Sequence, residues 1–111
     1  MQDKLIIVVK VKKTFDYVSK VVVNYPHKEL VLKNRILDSF YDLLELVYKA
    51  NIYKDVNYMK EILVCIRMIE FYIKSSLDKG LISYKKFSNI GSYLLEINKM
   101  VNSWILHEKT R

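Results

Sequence analysis

The sequence has 111 residues, of which 51% are hydrophobic and 28% charged, with only 2 glycines and 1 proline. Without a Gly/Pro/Ser-rich boundary the chain is too short for two independent domains, so residues 1–111 are predicted to form one domain. The net charge of +7 predicts attraction to nucleic acid, an anionic membrane surface or an acidic protein, and does not choose among them.

A single cysteine, Cys65, excludes an internal disulfide and fits a reducing compartment, the cytoplasm. The longest apolar run, Leu5 to Val9, is far shorter than the ~20 residues that span a bilayer. No cleavage site for a secretory signal follows it, so neither a membrane segment nor a targeting segment is expected. A domain this small is marginally stable, which favours an oligomer or a partner.

Apolar residues recur at helical spacing in four segments. The first helix is predicted over residues 4–24, ending before Pro26, although the alternating apolar residues of its first two turns also suit a strand. The second, over 29–51, has an apolar face broad enough for a core and for another subunit.

The third helix is predicted over 55–79, with Asp55 as its N-cap and Gly80 as its stop, and the fourth over 83–107, with Ser83 as its N-cap. Short connections force neighbouring helices to run antiparallel. The predicted fold is therefore all-α, an antiparallel up-down-up-down four-helix bundle.

Enzyme motifs are missing from the sequence. Two glycines cannot form a P-loop or a dinucleotide fingerprint, and His27 and His107 have no metal ligand at the required spacing. No histidine follows Arg35 or Arg67 as in helical ribonucleases, and Cys65 is interpreted as apolar filling. The carboxylates of the second helix, Asp38, Asp42 and Glu45, are interpreted as a solvated stripe. No catalytic residue, metal or cofactor is predicted.

Stripes of basic residues at helical spacing are the sequence feature that indicates a binding function. Lysines share a face with Tyr17 on the first helix, and cations recur every seven residues on the third, with Val64 and Phe71 between them. Such a pattern can follow a phosphate backbone while rings stack on unpaired bases. The candidate nucleic-acid-binding residues are Lys10, Lys13, Lys20, Lys60, Arg67, Lys74, Lys85 and Lys99.

Several residues have a predicted packing role. Arg67, between apolar neighbours, is expected in the interior or at an interface with an acidic or phosphate partner, and Glu70 three residues later is the candidate partner within the chain. Gly91, inside the fourth helix, predicts close approach of a neighbouring helix. Tyrosines beside the apolar stripes, including Tyr93, are expected in the core or at an interface. The candidate oligomer or partner interface comprises Leu37, Tyr41, Tyr48, Phe71 and Trp104.

The order of landmarks resembles a known family. These landmarks are the proline turn Asn24-Tyr25-Pro26-His27-Lys28-Glu29, the helix end Leu46-Val47-Tyr48-Lys49-Ala50-Asn51, the pair Ile66-Arg67 and the terminal run from Glu96 to Ile105. Over roughly Val18 to Leu106 the chain resembles the accessory variability determinant of diversity-generating retroelements. That family lies within a wider group of four-helix-bundle proteins found in ribosomal RNA intervening sequences.

The resemblance implies a basic bundle without catalytic activity that assembles as a homopentamer. It implies binding to the retroelement reverse transcriptase and to template RNA, with DNA as a further candidate, in support of cDNA synthesis that is mutagenic at adenines. The chain departs from the family pattern at Leu30, Phe71, Asn98 and Asn102, and Phe71 replaces the second arginine of a paired-arginine anion site.

Two other interpretations stay open. One is an intervening-sequence-type bundle acting as an oligomeric protein-interaction scaffold with no role in nucleic-acid binding. The other, with less support, is a helical ribonuclease or toxin.

Overall fold

Four long helices make up the computed structural model, which describes the backbone of residues 2–110 and the side chains of residues 6–110. They are α1 (Gln2–Val22), α2 (Leu30–Tyr53), α3 (Val56–Asp78) and α4 (Tyr84–Lys109), and a short 3₁₀ turn at His27–Glu29 precedes α2. Each predicted boundary lies within two residues of the observed one. The strand alternative for the start of α1 is wrong, because these residues continue the helix.

The connections follow the turn chemistry of the sequence. Asp55 accepts a hydrogen bond from the backbone N–H of Asn57 at 2.8 Å, and Ser83 accepts one from Lys86 at 3.2 Å. Gly80, after α3, has φ +75°, a conformation that glycine adopts without steric cost. The predicted caps and the predicted stop are confirmed.

Each helix packs against its sequence neighbours, and α1 also packs against α4, which closes a four-helix bundle. One apolar stripe from every helix is buried, as the helical spacing predicts. Val18, Leu43, Ile66 and Ile97 are fully buried. This core fixes the rotation of each helix and therefore decides which polar side chains meet in the grooves between helices.

Two packing predictions are corrected by the fold. A Cβ atom added at Gly91 would meet nothing within 4 Å, so no neighbouring helix approaches this glycine closely. Trp104 is 6% exposed and belongs to the core. It is therefore not available on the monomer surface as part of an oligomer or partner interface.

Candidate nucleic-acid interface

The positive charge of the helices is concentrated on α1 and α4. From Ile6 onward α1 carries four lysines against one carboxylate, and α4 carries four lysines against two. α2 carries three cationic residues and three carboxylates, and so does α3. The cationic field that would attract phosphate is therefore expected on the α1 and α4 side of the bundle.

Where α1 meets α4, the two helices form a crevice of about 150 Å³. We call it the α1–α4 crevice. Its lining residues are Lys10, Lys13, Thr14, Tyr17, Tyr93 and Glu96. Two of the predicted lysines thus lie around one concave site.

Three contacts fix the geometry of this crevice. Lys10 Nζ lies 2.6 Å from Glu96 Oε1. The rings of Tyr17 and Tyr93 meet edge to face, with centroids 5.5 Å apart. The side-chain amide of Asn89 donates to Tyr17 Oη at 3.3 Å. Lys20 lies three residues after Tyr17 on α1, so helical spacing continues the lysines along the same face of this helix.

The crevice combines a free cation with an accessible ring. Lys13 has no ion pair among the side chains of residues 6–110, whereas Lys20 lies 3.4 Å from Asp16. Tyr93 is 41% exposed. Lysine can hold phosphate, and an exposed ring can stack on an unpaired base.

Tyr93 lies outside the core, one of the two places predicted for it from the sequence. It borders the lysines of α1, and its place at an interface stays a prediction. Its position three residues before Glu96 and four after Asn89 was the available signal, since helical spacing puts these side chains on one face. The sequence spacing within α4 does not reveal that this face meets Tyr17 and Lys10.

The cations of α3 form a different surface. Lys60, Arg67 and Lys74 are exposed, but Arg67 pairs with Glu70 at 2.7 Å and Lys74 with Asp78 at 2.7 Å. The expectation of an interior Arg67 is wrong, because 60% of its side chain is exposed, while the Glu70 partner is confirmed. Two of the three cations of this stripe are therefore already neutralised.

The remaining candidate lysines, Lys85 and Lys99, are exposed on α4. The structure does not unite all eight candidates in one patch. Lys10 and Lys13 line the crevice, Lys20 lies farther along α1, and the α3 stripe belongs to another helix.

On the other side of the bundle, α2 and α3 enclose a groove of about 780 Å³. We call it the α2–α3 groove. Its apolar lining includes Leu46, Val64, Cys65, Met68 and Tyr72. Its polar lining comprises Arg35, Asp38, Ser39, Asp42, Glu45 and Glu61, with Tyr41 at the edge. The acidic stripe predicted on α2 thus borders a concave surface.

Cys65 is a half-buried thiol at the base of the α2–α3 groove. Its Sγ donates to the backbone carbonyl of Ser39 at 3.4 Å. Burial raises the pKa of Cys65 to about 11, and the carboxylate of Asp42 contributes. A thiol protonated at neutral pH is not an activated nucleophile, which agrees with its interpretation as filling.

Aromatic side chains on the outer faces of α2 and α3 are accessible. Tyr41 and Phe71 are each 61% exposed and Tyr48 is 43% exposed, whereas Leu37 is half-buried against the core. Tyr41 and Tyr48 border a shallow depression with Leu44, Ile52 and Tyr53. These residues give α2 an apolar outer surface.

Among the side chains of residues 6–110, no cluster of three histidine, cysteine or carboxylate groups could hold a metal ion. Within the same range, no helix combines the length and the apolar character that crossing a bilayer requires.

A protein-family model described as bAvd-like matches residues 5–108. No curated protein matches the chain. The matched range includes the crevice, the groove and all four helices, apart from the first three residues of α1 and the last of α4.

Proposed function

Because the chain belongs to the bAvd-like family, we propose that it is a non-enzymatic accessory protein that binds a reverse transcriptase and its template RNA. Membership of this family suggests an accessory protein of a diversity-generating retroelement, and such proteins are generally non-catalytic. Family membership and the resemblance noted in the sequence both support this proposal.

The distribution of charge is the observation that carries the nucleic-acid part of the proposal. Lysines outnumber carboxylates on α1 and α4, and the α1–α4 crevice places Tyr93 beside Lys10 and Lys13. Phosphates would contact Lys13 and Lys20, while an unpaired base would stack on Tyr93. RNA is the expected ligand, and single-stranded DNA can use the same contacts.

Assembly of several copies is part of the proposal. The resemblance implies a homopentamer, and the exposed rings of Tyr41 and Tyr48 provide apolar surface on α2. A ring would repeat the basic crevice around its axis and raise the avidity for a long RNA. Light scattering at micromolar concentration tests this part, since a strict monomer would contradict it.

Binding to structured RNA as a function of salt tests the central claim. Fluorescence anisotropy with a labelled RNA hairpin and a labelled single-stranded DNA should show affinity falling steeply between 50 and 200 mM salt, roughly tenfold for two phosphate contacts. The triple variant Lys10→Gln, Lys13→Gln, Lys20→Gln should bind more weakly and with a flatter salt dependence, while its circular dichroism stays unchanged.

A matched control for the crevice triple variant has the same net charge as that variant. The variant Lys28→Gln, Lys33→Gln, Lys49→Gln also loses three charges, but at lysines outside the crevice. It should keep most of the affinity. If both variants lose affinity equally, the crevice is not the binding site; if wild-type protein binds no RNA, the nucleic-acid role is wrong.

Co-purification with the reverse transcriptase encoded by the same retroelement tests the protein partner separately. A stable complex would support the accessory role. Assembly of the protein without any affinity for RNA or for the reverse transcriptase would favour the alternative, an oligomeric scaffold for other proteins.

A further inference from the structure

We infer that the α2–α3 groove docks a cationic amphipathic helix of a partner protein. Its carboxylates would pair with lysines or arginines of that helix, and its apolar floor would take the intervening apolar side chains. The inference goes beyond the proposed function, because it assigns a protein-binding surface whose charge is opposite to that of the α1–α4 crevice. It does not depend on nucleic-acid binding.

The dimensions of the groove fit a helix. Its lining runs from Arg35 to Leu46 on α2 and from Glu61 to Tyr72 on α3. At 1.5 Å per residue each of these stretches is roughly 16 Å long, about three helical turns. A volume of about 780 Å³ accommodates several side chains from one face of a docked helix.

The floor of the groove is apolar and accessible. Val64 is 63% exposed and Met68 is 43% exposed, and half-buried Leu46, Cys65 and Tyr72 lie beside them. Helix-in-groove recognition uses such a floor to bury apolar residues at positions i, i+3, i+4 and i+7 of the incoming helix. Methionine adapts its shape to different partners.

The rim of the groove selects the charge of the occupant. Glu45 pairs with Lys49 at 2.9 Å, but Asp38, Asp42 and Glu61 have no ion pair with any side chain of residues 6–110. Arg35 is the one cation among the residues that line the groove. The four carboxylates of the lining exceed this cation by three, and in a protein with net charge +7 they are complementary to cations. They repel nucleic-acid phosphates and anionic lipids.

A second copy of the chain fits the groove less well. Of its two cationic helices, α1 carries Asp16 between Lys13 and Lys20, and α4 carries Glu96 between Lys86 and Lys99, so in each a carboxylate would face the acidic rim. The exposed apolar side chains of α1, Ile6 and Val9, lie only toward one end of the helix. A partner helix with an uninterrupted basic flank along an apolar stripe matches better.

A designed peptide provides the test. The probe is a labelled 14-residue peptide of leucine and lysine with leucine at i, i+3, i+4 and i+7, compared with a scrambled peptide and with a leucine–glutamate peptide of the same spacing. The net charge of +7 opposes non-specific capture of a cationic peptide. We expect saturable binding of the leucine–lysine peptide only.

Charge variants locate the binding site. The triple variant Asp38→Asn, Asp42→Asn, Glu61→Gln should weaken binding about tenfold, as the loss of three partly exposed ion pairs predicts. The control Asp16→Asn, Asp78→Asn, Glu96→Gln removes three carboxylates outside the groove and should change the affinity less than twofold. The floor variant Met68→Gln should also weaken binding while both triple variants keep the helical circular dichroism of the wild type.

The outcomes separate the possible occupants. Equal weakening by both triple variants, or equal binding of the anionic peptide, would overturn the inference. Absence of peptide binding would also overturn it, and a change of oligomeric state in the groove variant would then identify a second copy as the occupant. None of these peptide-binding experiments uses RNA. A loss of RNA binding in crevice variants therefore does not affect the conclusion about the α2–α3 groove.

Discussion

The ion pair between Lys10 of α1 and Glu96 of α4, with Nζ and Oε1 2.6 Å apart, joins the two walls of the lysine-lined crevice. Both side chains remain partly exposed, at 38% and 48%, so the pair contributes at most about 1 kcal/mol to stability. Its larger consequence is electrostatic. Glu96 places a negative charge where phosphate is proposed to bind and keeps Lys10 occupied.

Replacing Glu96 with glutamine should therefore increase the affinity for RNA. The variant releases Lys10 for phosphate and removes a repulsive charge, which should raise the affinity about two- to fivefold at 100 mM salt. One additional phosphate contact should also steepen the plot of log affinity against log salt by about 0.7 to 0.9. Anisotropy titrations over a range of salt concentrations measure both effects.

Asp78→Asn is the matched control for the Glu96 variant. It changes the net charge by the same amount and also breaks an ion pair, the one with Lys74, but on α3. Its salt dependence should equal that of the wild type. A weaker or unchanged affinity of Glu96→Gln would mean that phosphate does not enter the crevice.

Tyr93 should contribute to the binding of unpaired bases. Stacking of one base on an aromatic side chain contributes about 1–3 kcal/mol, so Tyr93→Leu should weaken binding of single-stranded RNA by roughly fivefold or more. Because no cation is lost, the salt dependence should stay unchanged. Binding of a blunt duplex of the same length should change little, since its bases are already stacked.

Tyr84→Leu is the control for the stacking prediction. Tyr84 is 72% exposed, compared with 41% for Tyr93, and lies at the start of α4 outside the α1–α4 crevice. It should bind both RNAs like the wild type. Equal losses for single strand and duplex in Tyr93→Leu would indicate a structural role of the ring instead of stacking.

Features that depend on local spacing could be predicted from the sequence. The helices, the caps at Asp55 and Ser83 and the stop at Gly80 follow from residues within one or two turns of each other. The buried stripe of each helix follows from the same period. The four-helix architecture then results from short connections between helices of similar length.

Contacts between helices could not be predicted in the same way. Lys10 and Glu96 meet because core packing sets the rotation of α1 and α4. The spacing of residues within either helix does not contain this information. Arg67 shows the related error. Its neighbours Ile66 and Ile69 are buried, but a rotation of about 100° per residue turns Arg67 outward.

Replacing each of the two glycines with alanine should change the stability of the fold in opposite directions. At Gly91 an added Cβ meets no atom within 4 Å, so Gly91→Ala should stabilise the helix interior by roughly 0.5–1 kcal/mol. At Gly80 the φ of +75° disfavours a side chain, and Gly80→Ala should destabilise the fold by about 1–2 kcal/mol.

Urea unfolding followed by circular dichroism measures both glycine effects. The midpoint should rise for Gly91→Ala and fall for Gly80→Ala, with unchanged slopes. Destabilisation by Gly91→Ala in the isolated protein would contradict the open space at this position. Destabilisation that appears only in an assembled form would instead place Gly91 at a contact between copies.

The thiol of Cys65 should react slowly in the folded protein. Burial raises its pKa from an ordinary value of 9.0 to about 11. At pH 8 the thiolate fraction is then roughly a hundredfold smaller than in the unfolded chain, and the thiolate is the reactive form. Alkylation with iodoacetamide, followed by mass spectrometry with and without urea, measures the difference.

The same shift gives Cys65 a defined effect on the pH dependence of stability. A raised pKa means that the folded state retains the thiol proton at pH values where the unfolded state has lost it. Stability from this group is therefore fully present below about pH 9 and decreases as the pH rises toward about 11. Cys65→Ala should show a smaller loss of stability between these pH values than the wild type. In the folded protein the alkylation rate of Cys65 should keep rising through pH 10, because burial at the base of the α2–α3 groove raises the pKa of the thiol. A rate that levels off near pH 9 would contradict the raised pKa.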